Sequence, residues 1–225
     1  MEIVILCVAG ILATFISWLY ISNRKPTGSA PEATEESSLF KKTSGKQWIF
    51  LSIMLVGLCG LAVTLELVYV KNTLLDNLKL VTLMAILFTA AKIDAKEQVI
   101  PNKLVLAGLI LRISFWVAEL IVEPDDFLAL VKDNIVACLL IGVFFIIGVL
   151  LVRGGLGMGD IKLMLVMSLF QGFYGVVSAL FGALFVAFVY AVVVLLMKKK
   201  TRKDSVAFAP AILLGTMLSV LLTGM

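Results

Sequence analysis

The chain has 225 residues, of which 61% are hydrophobic and 15% are charged, with a formal net charge of +4 and a mean hydropathy of +1.11. A soluble domain carries about 25% charged residues, so this composition predicts a polytopic membrane protein. The sequence contains no histidine, which excludes His-based triads and His-ligated zinc. Its three cysteines lie far apart, which excludes a CxxC zinc ribbon or redox dithiol.

Apolar runs long enough for a bilayer core of about 30 Å predict an all-α bundle of about eight transmembrane helices. We expect these helices near residues 2–22, 48–70, 74–92, 103–122, 134–152, 161–174, 176–197 and 205–224. The first run has neither a basic segment before it nor a cleavage site after it, so we expect a retained helix rather than a signal peptide. The QGFYG segment at 171–175 predicts a turn inside a long uncharged run, and this turn leaves one short or partly inserted helix before it.

The distribution of Lys and Arg predicts which side of the membrane each connection faces. Fifteen of these residues fall on one alternating set of connections, against three on the opposite set. The fifteen lie in residues 24–46, 92–103, 153–162 and 198–203, and the three are Lys71, Lys79 and Lys132. Because cytoplasmic connections are enriched in Lys and Arg, the first set is expected to face the cytoplasm and both termini to face out. The basic excess then reflects topology and contact with anionic lipid, and we expect no nucleic-acid partner.

Two aspartates stand out once this topology is applied. Asp94 falls at the cytoplasmic end of the third predicted helix, and Asp160 falls at the cytoplasmic start of the sixth. Only one helical hairpin separates these helices, so their ends can meet. A pair of adjacent carboxyl groups shares one proton, and such a pair can hydrolyse a peptide bond without histidine.

The glycine-rich stretch RGGLGMGD, residues 153–160, directly precedes the sixth predicted helix. Glycines reach positive φ and leave room for an extended substrate strand, so we expect Gly155, Gly157 and Gly159 to contact substrate. Asp160 is expected at the N-cap of the helix. The same residues also fit an ordinary capped helix start beside a solvated Asp94. Their spacing alone does not decide between this interpretation and a catalytic pair. The stretch lacks the Walker pattern of phosphate-binding loops, and no further acids at suitable spacing indicate a metal or other cofactor.

Three segments together are similar to the type IV prepilin peptidase family. They are GGLGMGDIKL at 154–163, the pattern D-x5-IPN from Asp94 to Asn102, and FAPAILLG at 208–215, where Ala209 replaces a glycine that is common in the family. The resemblance covers most of the chain from the second helix onward. It implies an intramembrane aspartyl protease of the GxGD type with Asp94 and Asp160 as its catalytic pair.

The same resemblance implies the substrate, the location and the domain organisation. The substrate is a prepilin or pseudopilin with a short basic leader and a hydrophobic N-terminal helix, cleaved at the cytoplasmic face of the inner membrane. Lys162 is expected to help hold nearby charges. Residues 1–22 form a first membrane helix, residues 23–47 a polar cytoplasmic linker, and residues 48–225 the peptidase domain. The linker contains no cysteine, whereas longer relatives carry two CxxC pairs there, so N-methylation is not expected.

Two alternatives remain open at the level of sequence. One is a preflagellin-type peptidase that uses the same mechanism. The other is a small transporter or channel subunit that uses Asp94 and Asp160 as ion sites, although transporters tend to place such acids near the bilayer midplane within an internal repeat. The sequence gives no indication of oligomeric state.

Overall fold

The structure is a computed structural model that describes residues 1–24, 45–151, 157–196 and 207–224. Within these ranges the secondary structure is entirely helical, which confirms the predicted fold class. The helices are α1 (Glu2–Asn23), α2 (Gly45–Val68), α3 (Leu74–Glu97), α4 (Asn102–Val122), α5 (Pro124–Leu151), α6 (Met158–Leu196) and α7 (Ala209–Thr223). The first six are long and apolar enough to cross a membrane, whereas α7 has 15 residues.

Helix α6 reverses its direction at Gly172, where the backbone adopts φ 66° and ψ −168°. We refer to residues 158–171 as α6a and to residues 173–196 as α6b. Ser178 of α6b contacts Ser219 of α7, and Gly182 contacts Gly215, so α6b runs antiparallel to α7. The chain therefore turns between two helices at one residue, as the QGFYG segment predicted, and α6a is the expected short helix. Counting α6a and α6b separately gives eight helices among the described residues.

Only glycine fits at this reversal. Its φ lies in the left-handed region, which carries a steric cost for residues with a Cβ. A side chain at Gly172 would also overlap the carboxylate of Asp133 in α5. That carboxylate accepts a hydrogen bond from the backbone N–H of Phe173 at 3.1 Å, so α5 supplies a cap for the start of α6b.

Helix α3 forms the centre of the bundle. It packs against α1, α2, α4, α6 and α7, and 72% of its most apolar stretch is buried, compared with 17–28% for the other five long helices. Its start is fixed by a reciprocal capping box between Thr73 and Asp76. Because its central position determines where its ends lie, α3 holds Asp94 against several neighbouring helices.

The predicted helix boundaries were wrong at α5. This helix starts at Pro124, ten residues before the expected position, and Asp125 and Asp126 lie in its first turn rather than in a loop. Proline at the first helical position needs no N–H partner, and acids there interact favourably with the helix dipole. Helix α3 also continues beyond the predicted end at residue 92, so that Asp94 lies within its last turns.

Candidate active site

Asp94 lies near the end of α3, where its side chain is 5% exposed. Its carboxylate accepts a hydrogen bond from the backbone N–H of Ala209, with 2.9 Å between nitrogen and Oδ2. Ala209 is the first residue of α7, where backbone N–H groups have no partner within the helix. The carboxylate therefore fills the anion site at the start of α7 and fixes this helix against α3. A solvated Asp94 in a loop, the alternative left open by the sequence, is excluded.

Asp160 is the third residue of α6, and its side chain is partly exposed. The backbone carbonyl of Gly157 accepts hydrogen bonds from the N–H groups of Asp160 and Ile161 at 3.1 and 3.3 Å. The N-cap position thus belongs to Gly157, and the expectation that Asp160 would occupy it was wrong. Asp160 nevertheless remains in the first turn of the helix, where the dipole stabilises a negative charge.

The structure brings Asp94 and Asp160 to the same end of the bundle. Asp94 lies within electrostatic range of Asp160. Asp94 lies in the last turns of α3 and Asp160 in the first turn of α6a, so the hairpin formed by α4 and α5 returns the chain to its starting level, as the topology predicted. Two carboxyl groups at one end of the bundle are the kind of groups that acid–base hydrolysis of an amide uses.

Both glycines of the described GxGD stretch lie in close contact with neighbouring atoms. A Cβ on Gly157 would lie 2.7 Å from Oδ2 of Asp160, so the missing side chain makes room for the carboxylate in its present position. A Cβ on Gly159 would lie 2.9 Å from Cβ of Ile100, on the connection between α3 and α4. Gly159 does not have a positive φ, so the conformational reason expected from the sequence was wrong for this glycine. Gly155 lies outside the described residues.

The D-x5-IPN and GxGD segments bind each other directly. Buried Ile100 packs against Gly159, and Nζ of Lys162 donates a hydrogen bond to Oδ1 of Asn102 at 2.9 Å. Pro101 takes the N-cap position of α4. Lys162 therefore links α6a to the start of α4, a contact that sequence reasoning missed because its partner is 60 residues away.

A cleft with a volume of about 1090 Å³ opens beside this junction. It lies between the end of α1, residues 99–103 and the start of α6, and we call it the junction cleft. Gly159 and Lys162 line it, as do Tyr20 of α1 and Arg24, the residue that follows α1. Arg24 forms a salt bridge of 3.0 Å to Glu97, which ties the rim of the cleft to the end of α3. An extended peptide in this cleft would lie next to Asp160.

Comparison with known protein families gives one match. The model of the type IV leader peptidase family matches residues 81–192, about half of the chain, including both aspartates and the glycines between them. The chain belongs to the type IV leader peptidase family. No curated protein and no solved structure matches it. The family predicted from the sequence is confirmed, and this leader peptidase is a membrane protease.

The leader peptidase also contains a buried ionic cluster at the opposite end of the bundle. Glu119 accepts two hydrogen bonds from Arg112 at 3.0 and 3.1 Å, and it forms a 2.7 Å ion pair with Lys79. Lys79 also pairs with Asp76 at 2.8 Å, and the guanidinium of Arg112 lies over Phe170 of α6a. Arg112 and Glu119 are each 1% exposed. The cluster joins α3, α4 and α6a, the helices that carry both aspartates and the segment between them.

Sequence reasoning missed the ion pairs of Glu119 with Arg112 and Lys79. A usable signal existed, because Arg112 and Glu119 are seven residues apart and therefore share one face of α4. The contribution of Lys79 from α3 had no such signal. In the part of the leader peptidase that the structure describes, no group of three or more acidic or cysteine residues is arranged to hold a metal ion.

Proposed function

We propose that this leader peptidase is an intramembrane aspartyl endopeptidase in which Asp94 and Asp160 form the catalytic pair. The observation that carries the proposal is the position of the two carboxyl groups, which lie at one end of the bundle and within electrostatic range although they are 66 residues apart in sequence. The two side chains are positioned differently. Asp94 accepts a hydrogen bond from the N–H of Ala209, and Asp160 lies in the first turn of α6.

The proposed reaction needs only this pair and a water molecule. One carboxylate removes a proton from the water while the other, protonated carboxyl donates a proton to the oxygen of the scissile carbonyl. The product is a tetrahedral diol. When the diol collapses, the C–N bond breaks and the protonated carboxyl gives its proton to the leaving nitrogen. The other carboxylate removes a proton from a hydroxyl of the diol, so the pair again holds one shared proton and the products are a carboxylic acid and an amine. Gly159, Gly157 and Lys162 would border the substrate strand, since Gly159 and Lys162 line the junction cleft.

We further propose that the substrates are prepilins or pseudopilins, cleaved at the cytoplasmic face of the inner membrane. The distribution of Lys and Arg supports this orientation, since Arg24, Lys103 and Lys162 surround the end of the bundle where the aspartates meet. A substrate whose hydrophobic helix lies in the membrane would present its leader at this level. Because residues 22–47 contain no cysteine, we propose that the enzyme cleaves without methylating the new N-terminus.

The test is cleavage of a purified prepilin in detergent by the wild type and by Asp94→Asn and Asp160→Asn. Asparagine keeps the shape of each side chain but cannot exchange the proton, so each variant should lose about 10²- to 10⁴-fold in kcat/KM. Asp126→Asn is the matched control, because Asp126 is exposed and lies in the first turn of α5. Normal cleavage by either active-site variant, or no cleavage by the wild type, would overturn the proposal.

A further inference from the structure

Helices α1 and α4 leave a groove between them inside the membrane. Both helices pack against α3, yet they do not contact each other anywhere in the described residues. Residues of α3, among them Ala85, Ile86 and Thr89, form the floor between these two helical walls, and at no more than 6% exposed they lie at the bottom of a narrow groove. The groove has a volume of about 340 Å³, and we call it the α1/α4 groove.

The lining of the α1/α4 groove is almost entirely apolar. Leu12 lies on the α1 wall, Ala85 on the floor, and Ala107 on the α4 wall. The hydroxyl groups of Ser17 and Thr89 bond to each other at 2.9 Å, so these two polar side chains are paired within the protein. An occupant consequently needs an apolar surface.

The α1/α4 groove leads directly into the junction cleft. Ile16 and Tyr20 of α1 line both spaces, and the groove runs along α1 from Ala9 to Tyr20, which is about 16 Å of helix. At its other end the cleft reaches Gly159, the residue before Asp160. An apolar segment in the groove would therefore continue as an extended strand that passes the aspartates.

We propose that the α1/α4 groove is the lateral entry and docking site for the apolar membrane helix of the substrate. This inference rests on the proposed function, since it assigns the helical part of the same substrate to a defined surface. The helix of the substrate lies along the mouth of the groove, in contact with α1 and α4, and its apolar side chains enter the groove. Its cytoplasmic end unwinds at the level of Tyr20, and the scissile bond follows in the cleft beside Asp160.

The test fills the groove by single substitutions and compares two substrates. Ala107→Trp and Leu12→Trp each place an indole in the groove from a different wall, at positions exposed on the surface of the bundle. Ala191→Trp is the matched control, because Ala191 is an exposed alanine of α6b and does not line the groove. The substrates are a prepilin with its complete hydrophobic helix and a peptide that contains only the leader and the cleavage site.

We expect both groove variants to lose at least about tenfold in kcat/KM on the helix-bearing substrate, while the control keeps wild-type values. Relative to wild type, cleavage of the short peptide should be unchanged in all three variants. Equal cleavage of the helix-bearing substrate by the groove variants and the wild type would overturn the proposal, as would loss on both substrates. Failure of the proposed function can be told apart from failure of this docking proposal. In the former case the wild type cleaves neither of the two substrates, or the Asp94→Asn variant remains active.

A cross-linking measurement gives a second readout that does not depend on catalysis. Cys7, Cys59 and Cys138 are first replaced by alanine, and Asp94→Asn keeps the substrate uncleaved. Ala107→Cys should then form a disulfide with a cysteine in the cytoplasmic half of the substrate helix, whereas Ala191→Cys should not. Cross-linking at Ala191 without cross-linking at Ala107 would place the substrate elsewhere. If an acyl chain of a lipid fills the groove instead, Ala107→Cys remains unlinked and the proposal is refuted.

Discussion

Replacing Gly159 with alanine tests whether the contact between α6a and Ile100 sets the position of Asp160. The added Cβ would lie 2.9 Å from Cβ of Ile100 and 3.3 Å from its Cγ1 and backbone nitrogen. An ordinary contact begins at about 3.4 Å, so the two segments must separate by roughly 0.5 Å, because Ile100 is buried and its backbone is part of the contact. Asp160 is the next residue and moves with Gly159.

The expected loss follows from how strongly hydrolysis depends on position. A misplacement of about 1 Å costs about 10²-fold in rate, so a shift of about half that size should lower kcat/KM about tenfold. Overpacking of this kind typically costs about 1–3 kcal/mol, and alanine returns up to about 1 kcal/mol of helix propensity. The net loss of unfolding free energy should therefore be small, and activity should fall more than stability does.

Gly60→Ala provides the control for this experiment. Gly60 is also a helical glycine, but a Cβ there would meet no atom within 4 Å. Alanine at this position should stabilise α2 by about 1 kcal/mol and leave cleavage unchanged. Both variants are assayed for prepilin cleavage and for thermal unfolding in the same detergent. Wild-type activity in Gly159→Ala, or an equal loss in Gly60→Ala, would refute the positioning argument.

Three further predictions concern the rest of the bundle. Glu119→Gln leaves Arg112 and Lys79 buried without their shared anion, so the free energy of unfolding should fall by about 3–5 kcal/mol. The midpoint of thermal unfolding should then fall, while cleavage at low temperature stays within about twofold of wild type. An unchanged midpoint would contradict the buried network. Gly215→Ala should reduce both the yield of folded protein and its cleavage activity, because a Cβ there would overlap the backbone of Ala183. Wild-type behaviour in both assays would argue against the packing of α6b on α7. Lys162→Met removes one exposed hydrogen bond, and the free energy of unfolding measured by denaturant titration should change by less than about 1 kcal/mol. A larger change would show that this hydrogen bond is not exposed.

The helical framework could be predicted from the sequence because lipid leaves few options for the backbone. Every N–H and C=O in the bilayer core needs an internal partner, so apolar runs of sufficient length indicate helices. The reversal at Gly172 was also predictable from a glycine pair inside an overlong uncharged run. The start of α5 was missed because Pro124 and the two acids after it were interpreted as a loop, although the same residues are typical of a first helical turn.

The placement of the two aspartates was predictable from the sequence, but the contacts that hold them were not. Placing Asp94 and Asp160 at one end of the bundle required only topology. The contact of Asp94 with Ala209 could not be inferred in this way, because it joins residues 115 apart through a backbone N–H that any residue type other than proline supplies. The need for glycine at 159 likewise depends on the approach of Ile100, which is a property of tertiary packing.

The shortness of α6a and α7 has a consequence for the surrounding lipid. At about 1.5 Å per residue, the 14 residues of α6a span about 21 Å and the 15 residues of α7 about 22 Å, against a hydrocarbon layer of about 30 Å. Beside these two helices the bilayer has to thin by about 8 Å, or water has to occupy the difference. Both helices begin at the aspartates. A local depression of the membrane surface there would bring bulk water, the reactant that hydrolysis consumes, down to the two carboxyl groups without a dedicated channel.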